Sequence, residues 1–502
     1  MFDVAILGCG PVGALAACLL GRSGLSVVVL EKEVDLHPLP RAVHLDHEMM
    51  RLFQSAGVID AVVPDMIDTD GHLHIGAGGQ VIRYMGTVGL PRPFGWSNDW
   101  FFYQPELEAH LRAGFAGLAN VDLRLGAECT GLDQDDGPVR IAYVQDGAAH
   151  EVTARWAIAC DGSRSPVRKA LGIDLDDLDF EEPWLVVDAE VEGPVAFPPL
   201  TGVPAGADLQ RLSVMMCDPR RPATIVPGRG NHRRWEFMLL PGEDDAAMMA
   251  PARVGELVAA WMGQVPHRIV RAATYRFHGL VAERWQQGAV FLAGDAAHQT
   301  PPFFGQGMCH GLRDVANLAW KMAAIVNDGA DPAILATYQP ERDPHVRGVI
   351  GAAVAAGRYI CELDPAKAAT RDAAMVAKAA SGAKETAHDL IPAIATGIVL
   401  AGSAGAGERF IQPVLDDARK LDDAVGDGWR LFVAGAAPVV PGVTAIDATT
   451  LADGGAILRW LAARGAEAVL VRPDHYVYGT GSPPALIAAR VRQLGLAMET
   501  VI

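Results

Sequence analysis

Residues 2–31 read FDVAILGCGPVGALAACLLGRSGLSVVVLE. Phe2 to Leu7 is a short, apolar, β-prone run. It ends in Gly8-Cys9-Gly10-Pro11-Val12-Gly13, a helical pattern follows through Leu20, and a second β-run, Ser26 to Leu30, ends at Glu31. Strand, GxGxxG, helix, strand and acid within about thirty residues is the pattern of a dinucleotide site. Gly8 allows the tight turn, Gly10 lets the backbone approach a pyrophosphate, and Gly13 lets the helix pack close to the sheet. The helix entry at Pro11 and Val12 offers free N–H groups and a positive dipole end to phosphates. Glu31, with Lys32 beside it, stands where ribose hydroxyls are bound. An acid there excludes a 2′-phosphate but does not separate NAD from FAD.

A second unit lies much later. Ala289 to Ala293 reads as a buried strand, followed by Gly294-Asp295-Ala296-Ala297-His298 and then Pro301-Pro302-Phe303-Phe304-Gly305-Gln306-Gly307-Met308. From about Cys309 the apolar positions recur at helical spacing. The physical reading is a strand that delivers the Asp295 carboxylate, a proline turn, and a glycine-rich helix entry. The N–H groups from Gly305 to Met308 can stabilise negative charge on a reduced flavin ring.

The 502 residues exceed one hydrophobic core and predict two or three domains. The formal charge of −18, with no basic block, argues against nucleic acid or an anionic membrane surface as partner. The seven cysteines show no CxxC and no metal-ligand spacing, so they read as free thiols in a reducing cytoplasm, with no metal site expected. No uninterrupted apolar span is long enough to cross a bilayer.

Gly294 to His298, Pro302, Gly305-Gln306-Gly307 and Asp314…Asn317-Leu318-Ala319-Trp320-Lys321 together resemble class A, single-component flavoprotein monooxygenases. Asp161-Gly162, after the strand Trp156 to Ala159, is similar to that family's middle motif, and Arg168 follows it. Pro40-Arg41-Ala42 resembles a segment whose arginine touches FAD, and Gln104 stands where the family holds the flavin with a glutamine. The resemblance covers residues 1 to about 350. Cys217-Asp218-Pro219, Glu236-Phe237-Met238 and Val471-Arg472-Pro473-Asp474 are further similar to the 3-(3-hydroxyphenyl)propionate and phenol hydroxylase groups.

The resemblance implies a Rossmann-like FAD-binding domain (GR2-type) over 1–175 and 271–360. It implies an inserted antiparallel-sheet substrate domain over 176–270, where Trp184 to Val191, Arg211 to Cys217, Ala223 to Val226 and Arg233 to Leu240 alternate as strands do. A helical linker is expected over 361–408. Over 409–502 a small α/β unit resembles the thioredoxin-like C-terminal domain of phenol hydroxylase relatives; it has no cysteine, which leaves it a structural or dimerisation role in a likely-sized homodimer.

The implied chemistry uses NADH or NADPH to reduce FAD, after which O₂ adds at flavin C4a and the hydroperoxide delivers oxygen to an electron-rich ring. A base at the phenol oxygen makes the far more nucleophilic phenolate. His44 and Asp46 alternate on an extended stretch and are the first candidates for base and relay, although Asp46 also reads as a cap of the helix Glu48 to Ala56. Tyr103 is a weaker candidate. A carboxylated substrate needs a guanidinium clamp, for which Arg211, Arg221 and Arg233 are candidates, and Pro301 and Phe303 are expected beside the substrate. Competing readings are a Baeyer–Villiger or epoxidising oxygenase acting on a non-phenolic, polyketide-like substrate, and a non-catalytic FAD-binding interaction protein. The Trp-x-Trp-x-Ile-Pro run expected of a tryptophan-type halogenase is absent.

Overall fold

The computed structural model describes residues 1–134, 137–381 and 390–497. The opening unit folds as its pattern predicts. Strand Phe2–Leu7 pairs in parallel with Val27–Glu31 on one side and with Ala148–Ala159 on the other. Val121–Leu125 extends one edge and Val290–Leu292 the other, both in parallel. The central strands are buried on both faces, which is why they read as continuous apolar runs rather than as alternation. Helices Pro11–Arg22 and Gly307–Asp328 pack against this sheet and each other. Their close approach is made by glycine: a Cβ on Gly311 would meet Val12 Cγ2 at 2.5 Å and Gly294 Cα at 2.9 Å.

The second sheet has eight strands. Its order is His298–Gln299, His267–Ala282, Leu175–Val191, His232–Met238, Ala223–Pro227, Leu212–Met216, Gly71–Ile75 and Val81–Gly86. All pairings are antiparallel except that of Leu212–Met216 with Gly71–Ile75. Two expectations are corrected here. The boundary at 270 falls inside the strand His267–Ala282, which runs on from the insert into the second half of the chain. The hairpin 71–86, expected within the cofactor-binding segment, completes this sheet instead.

Alternation divides the second sheet into two faces. Leu185, Val187, Ile225, Trp235 and Phe237 form a core with Val254, Val258 and Trp261 of the helix Pro251–Met262. Val186, Ser213, Met215, Thr224, Val226, Arg234 and Glu236 point the other way and line a cavity.

His44–Asp46, Asp99–Phe102 and Met66–Asp68 form a small antiparallel sheet beside that cavity. Helix Pro365–Ala380 follows the long helix Tyr338–Ile360. The C-terminal unit is a four-stranded sheet in the order Thr444–Asp447, Arg430–Val433, Ala468–Val471, Val477–Gly481, with helices Ala456–Ala462 and Pro483–Leu494. The strands at 444 and 477 went unread in the sequence. No described helix is long and apolar enough to cross a membrane.

Candidate active site

A cavity of about 1150 Å³ lies between the parallel sheet and the open face of the antiparallel one. Pockets for a drug-sized ligand run to roughly 300–1,000 Å³, so this one has room for a dinucleotide and a ring together. Gly8, Gly10, Pro11, Val12, Glu31, Lys32, Arg41, Gln104, Asp161, Gly162, Asp295, Pro302, Phe303, Gly305, Gly307 and Met308, all expected from the sequence, line it.

The two strand ends and helix entries explain the geometry. Gly8 has φ +98°, and a Cβ there would meet Cys160 O at 2.5 Å, so the turn requires glycine. Gly13 lies where a Cβ would meet Gly8 O at 2.0 Å. Gly10 differs: a Cβ on it would touch no protein atom within 4 Å. Its lack of a side chain has no reason inside the protein and fits a ligand pressed against the backbone. Glu31 is held by the N–H groups of Cys9 (2.6 Å) and Glu33 (2.9 Å). Asp161 Oδ1 and Arg112 Nε are buried at the cavity without a partner. Asp295 lies deep in the protein, yet its own surface is open, because what it faces is the cavity. Burial raises its carboxyl, with His298 and Arg41 pulling it back. Glycine turn, helix N-termini, ribose acid and unsatisfied polar atoms fit FAD.

Gln104 Oε1 accepts from the N–H groups of Arg41 (3.0 Å) and Ala42 (2.7 Å), while its Nε2 donates to Glu108. Arg112 donates to Cys9 O. Neither Glu108 nor Arg112 was anticipated, although both recur at four-residue steps from Gln104 along the helix Gln104–Ala116, one face of which lines the cavity. Gly294 and Pro301 stay off the cavity. Gly294 donates to Asp314, which also accepts from Arg342 and bonds His298, so His298 braces the loop from within the core.

His44 reaches the cavity between the glycine-rich loop and the antiparallel sheet. Its Nε2 lies 3.0 Å from Asp99 Oδ1 and its Nδ1 3.4 Å from Gly305 O. Burial alone would lower its pKa; the hydrogen bond and charge of Asp99, with the charge of Asp46, outweigh that and leave it raised. Asp46 is not the relay expected of it. It caps the helix His47–Ser55 through Glu48 N and pairs with Arg313 at 2.5 Å. Asp99 takes that place, and its position 55 residues away left no local signal.

His72, from the unforeseen hairpin, stands 5.1 Å ring to ring from His44, buried, with neither ring nitrogen bonded. Burial lowers it to about 4, so it is a neutral ring at physiological pH. One ligand atom each of His44, His72 and Asp99 falls within 4.8 Å of the others. The expectation of no metal site came from spacing along the chain, and this grouping is assembled from three separate strands.

The remaining candidates are placed elsewhere. Tyr103 donates to Pro38 O and stacks on His232, outside the cavity lining. The expected clamp is corrected: Arg211 is bound by Asp68 and Asp70, Arg221 by Glu243, and Arg233 donates to His232 O. Among the described residues five guanidiniums line the cavity, those of Arg41, Arg112, Arg276, Arg234 and Arg271, and the last two are buried on the antiparallel sheet. Arg234 is one residue from Arg233 and therefore on the opposite face of the strand. Both are engaged: Arg234 with Asp188 and the carbonyls of Pro40 and Arg41, Arg271 with Pro40 O and Tyr275 OH. Phe303 stands edge-on to Trp184, Phe180 and Phe277, an aromatic wall at the loop.

A family model described as FAD binding domain matches residues 1–353. A probable NADH-specific resorcinol 4-hydroxylase of Rhodococcus jostii (strain RHA1) is 34% identical over 527 residues, covering 99% of this chain and 96% of that protein. A 3-(3-hydroxy-phenyl)propionate/3-hydroxycinnamic acid hydroxylase of Burkholderia vietnamiensis (strain G4 / LMG 22486) is 38% identical over 448 residues, covering 85% and 79%. Among solved structures, a ternary complex of aklavinone-11 hydroxylase with FAD and aklavinone superposes with a TM-score of 0.77 at 23% identity, covering 98% of this chain and 99% of that one.

Proposed function

The chain belongs to the FAD-binding domain family, and from that premise we propose that it is an FAD-dependent monooxygenase that hydroxylates a phenolic ring. The observation that carries the reading is the His44–Asp99 pair, set between the glycine-rich loop at Gly305 and an open sheet face. Bound FAD supplies the redox chemistry, accepting a hydride from a nicotinamide donor and, once reduced, activating O₂ for transfer to a ring carbon. One oxygen atom enters the ring and the other leaves as water.

The protein's own residues do the rest. Gly8, Gly10 and the helix entry at Pro11 would hold the pyrophosphate, Glu31 the ribose, and Asp295 the ribityl chain, while Gly13 lets the helix close on the turn. The N–H groups at Gly307 and Met308 would face the flavin ring. With Asp99 accepting at Nε2, the neutral His44 tautomer carries its proton there and leaves Nδ1 to take the phenol proton. The imidazolium so formed is stabilised by Asp99 and donates from Nδ1 toward Gly305 O. Phe101, Phe303, Met215 and Val226 keep the ring in a dry, apolar setting.

The same reading takes NADH as donor, as the name of the Rhodococcus relative supports, a cytoplasmic location, which the free cysteines support, and a homodimer. It gives the cofactor to the parallel sheet, the substrate to the antiparallel sheet with the hairpin 71–86, and a bracing role to the C-terminal unit. The test is NADH and NADPH oxidation by the purified yellow protein with a panel of phenols and mass analysis of product. A phenol-stimulated rate with a product heavier by one oxygen is expected. Oxidation that yields only hydrogen peroxide with every phenol would overturn the hydroxylase reading and leave the FAD site standing.

A further inference from the structure

We propose that Glu236 determines which phenols this site accepts: it receives a hydrogen bond from a second, uncharged hydroxyl on the substrate and turns away phenols that carry a carboxylate. The inference rests on the hydroxylase reading above for the identity of the ring, and on separate observations for the preference.

Glu236 faces the cavity from the strand His232–Met238, in a cross-strand row of Met215, Thr224, Glu236 and Val186. Ser213, two residues from Met215 on the same strand, pairs with His72 of the next strand, whose ring lies 5.1 Å from that of His44. A polar track therefore runs along the sheet from the candidate base to Glu236. At about 4.8 Å per strand, the track spans three strand spacings from His72 to Glu236 and one two-residue step along the strand, from Ser213 to Met215, and the side chains at both ends shorten the gap that a substituted ring must bridge.

The carboxyl of Glu236 makes no hydrogen bond or ion pair among the described residues, and the residue is partly open to the cavity it lines. Burial raises it to about 7, with Arg234 and Arg271 pulling it down and Asp188 pushing it up. A carboxyl that faces a cavity with no donor from the protein is placed to accept a hydrogen bond from a ligand hydroxyl.

The second half of the argument is charge. Arg234 and Arg271 on this wall have Asp188 beside them, at 2.7 Å and 3.7 Å; their terminal nitrogens donate to Asp188, backbone carbonyls and Tyr275, while Arg271 Nε, the atom nearest Asp188, has no hydrogen bond. Arg276, at the cavity, pairs with Asp245. His72 is held neutral by burial. With Asp188 and Glu236 against Arg234 and Arg271, the charges on this sheet face balance, and a substrate carboxylate placed against it would lie next to another carboxyl. A site built to bind a hydroxyl discriminates against what cannot supply it.

The experiment compares three phenols in the FAD-loaded protein: 1,3-benzenediol, 3-(3-hydroxyphenyl)propan-1-ol, and 3-(3-hydroxyphenyl)propanoate. The last two differ only in a hydroxymethyl group against a carboxylate. Dissociation constants come from the change in flavin fluorescence, and kcat/KM from NADH oxidation. The wild type is expected to bind the diol and the alcohol about 10- to 100-fold more tightly than the acid, the range of a hydrogen bond to a charged group. Glu236→Gln is expected to weaken the diol and the alcohol and to bring the acid to within a few-fold of the alcohol. A wild type that binds the acid as tightly as the alcohol overturns the proposal without recourse to any variant, as does a Glu236→Gln protein with the wild-type order and spread. If the binding order holds but no phenol gains oxygen, the hydroxylase reading fails and the role of Glu236 in selection stands.

Discussion

Buried charges occur in two regions of this molecule, and they are handled in opposite ways. At the seam between the C-terminal unit and the cofactor half, each carboxylate has its cation. Arg472 pairs with Glu341 at 2.8 Å and Asp474 at 2.6 Å, Lys321 pairs with Glu341 at 3.1 Å, and Asn317 and Trp320 donate to the same two carboxylates. Arg313 joins Asp46 and Glu48, and Tyr476 completes Glu48. Around the cavity the pattern inverts: both nitrogens of His72 are bare, Asp161 Oδ1 and Arg112 Nε are unpaired, and Glu236 faces the open cavity without a hydrogen bond among the described residues. Satisfied buried charges hold two parts of a chain in one arrangement, whereas unsatisfied ones facing a cavity mark where a ligand completes the structure.

The comparison can be broken at either side. The largest effect is expected at the cavity. His44→Ala should slow hydroxylation about 10²- to 10⁴-fold, the usual contribution of a positioned base, while flavin reduction by NADH stays near wild type in stopped-flow traces. Equal product formation in single turnover would remove His44 from the reaction.

Next comes the seam. Arg472→Leu leaves Glu341 and Asp474 buried without their shared cation and should cost about 3–5 kcal/mol of stability, read as a lowered denaturation midpoint. If the variant melts like the wild type, the seam does not hold the unit. Acid should act on the same bonds. Arg472 and Lys321 overcome the effect of burial and hold Glu341 at about 2, below its ordinary 4.5. Its contribution to stability is therefore full above about 4.5 and lost as the pH falls toward 2.

A smaller change is expected from Asp99→Asn. Asp99 supports the raised pKa of His44, and the base works in its neutral form, so the wild-type rate should climb through a limb above 6.5. Removing the carboxylate should move that limb to lower pH. A limb that does not move would place the titration on another group. Least of all, Arg211→Ala should alter stability by less than about 1 kcal/mol and leave substrate preference unchanged, since neither it nor its partners Asp68 and Asp70 line the cavity. A loss of substrate affinity there would restore the clamp that the structure moved elsewhere.

The cofactor half was legible because its signals are local. Gly8, Gly10, Gly13 and Glu31 occupy one βαβ unit, where turn, helix entry and strand end follow each other in the chain. Asp295, Gly305 and Gly307 repeat that logic at a second strand end. The substrate side was legible only as alternation. That pattern identifies a half-buried sheet but not which face meets the cavity, so Arg233 was chosen where Arg234 faces inward. The hairpin 71–86 carried no mark of its destination, since its parallel partner is the distant strand Leu212–Met216.

By itself, then, the sequence determined the cofactor fold, the glycine turns that demand it, the acids Glu31 and Asp295 that line the cavity, and His44 as the residue to watch. Each rests on neighbours within a few residues, where sterics and hydrogen bonding act through the chain. Tertiary structure alone decided that Asp99 serves His44 while Asp46 serves Arg313, that His72 joins them, and that Glu236 faces the cavity without a partner. Those choices depend on strand register and on desolvation, and both exist only once distant segments have packed.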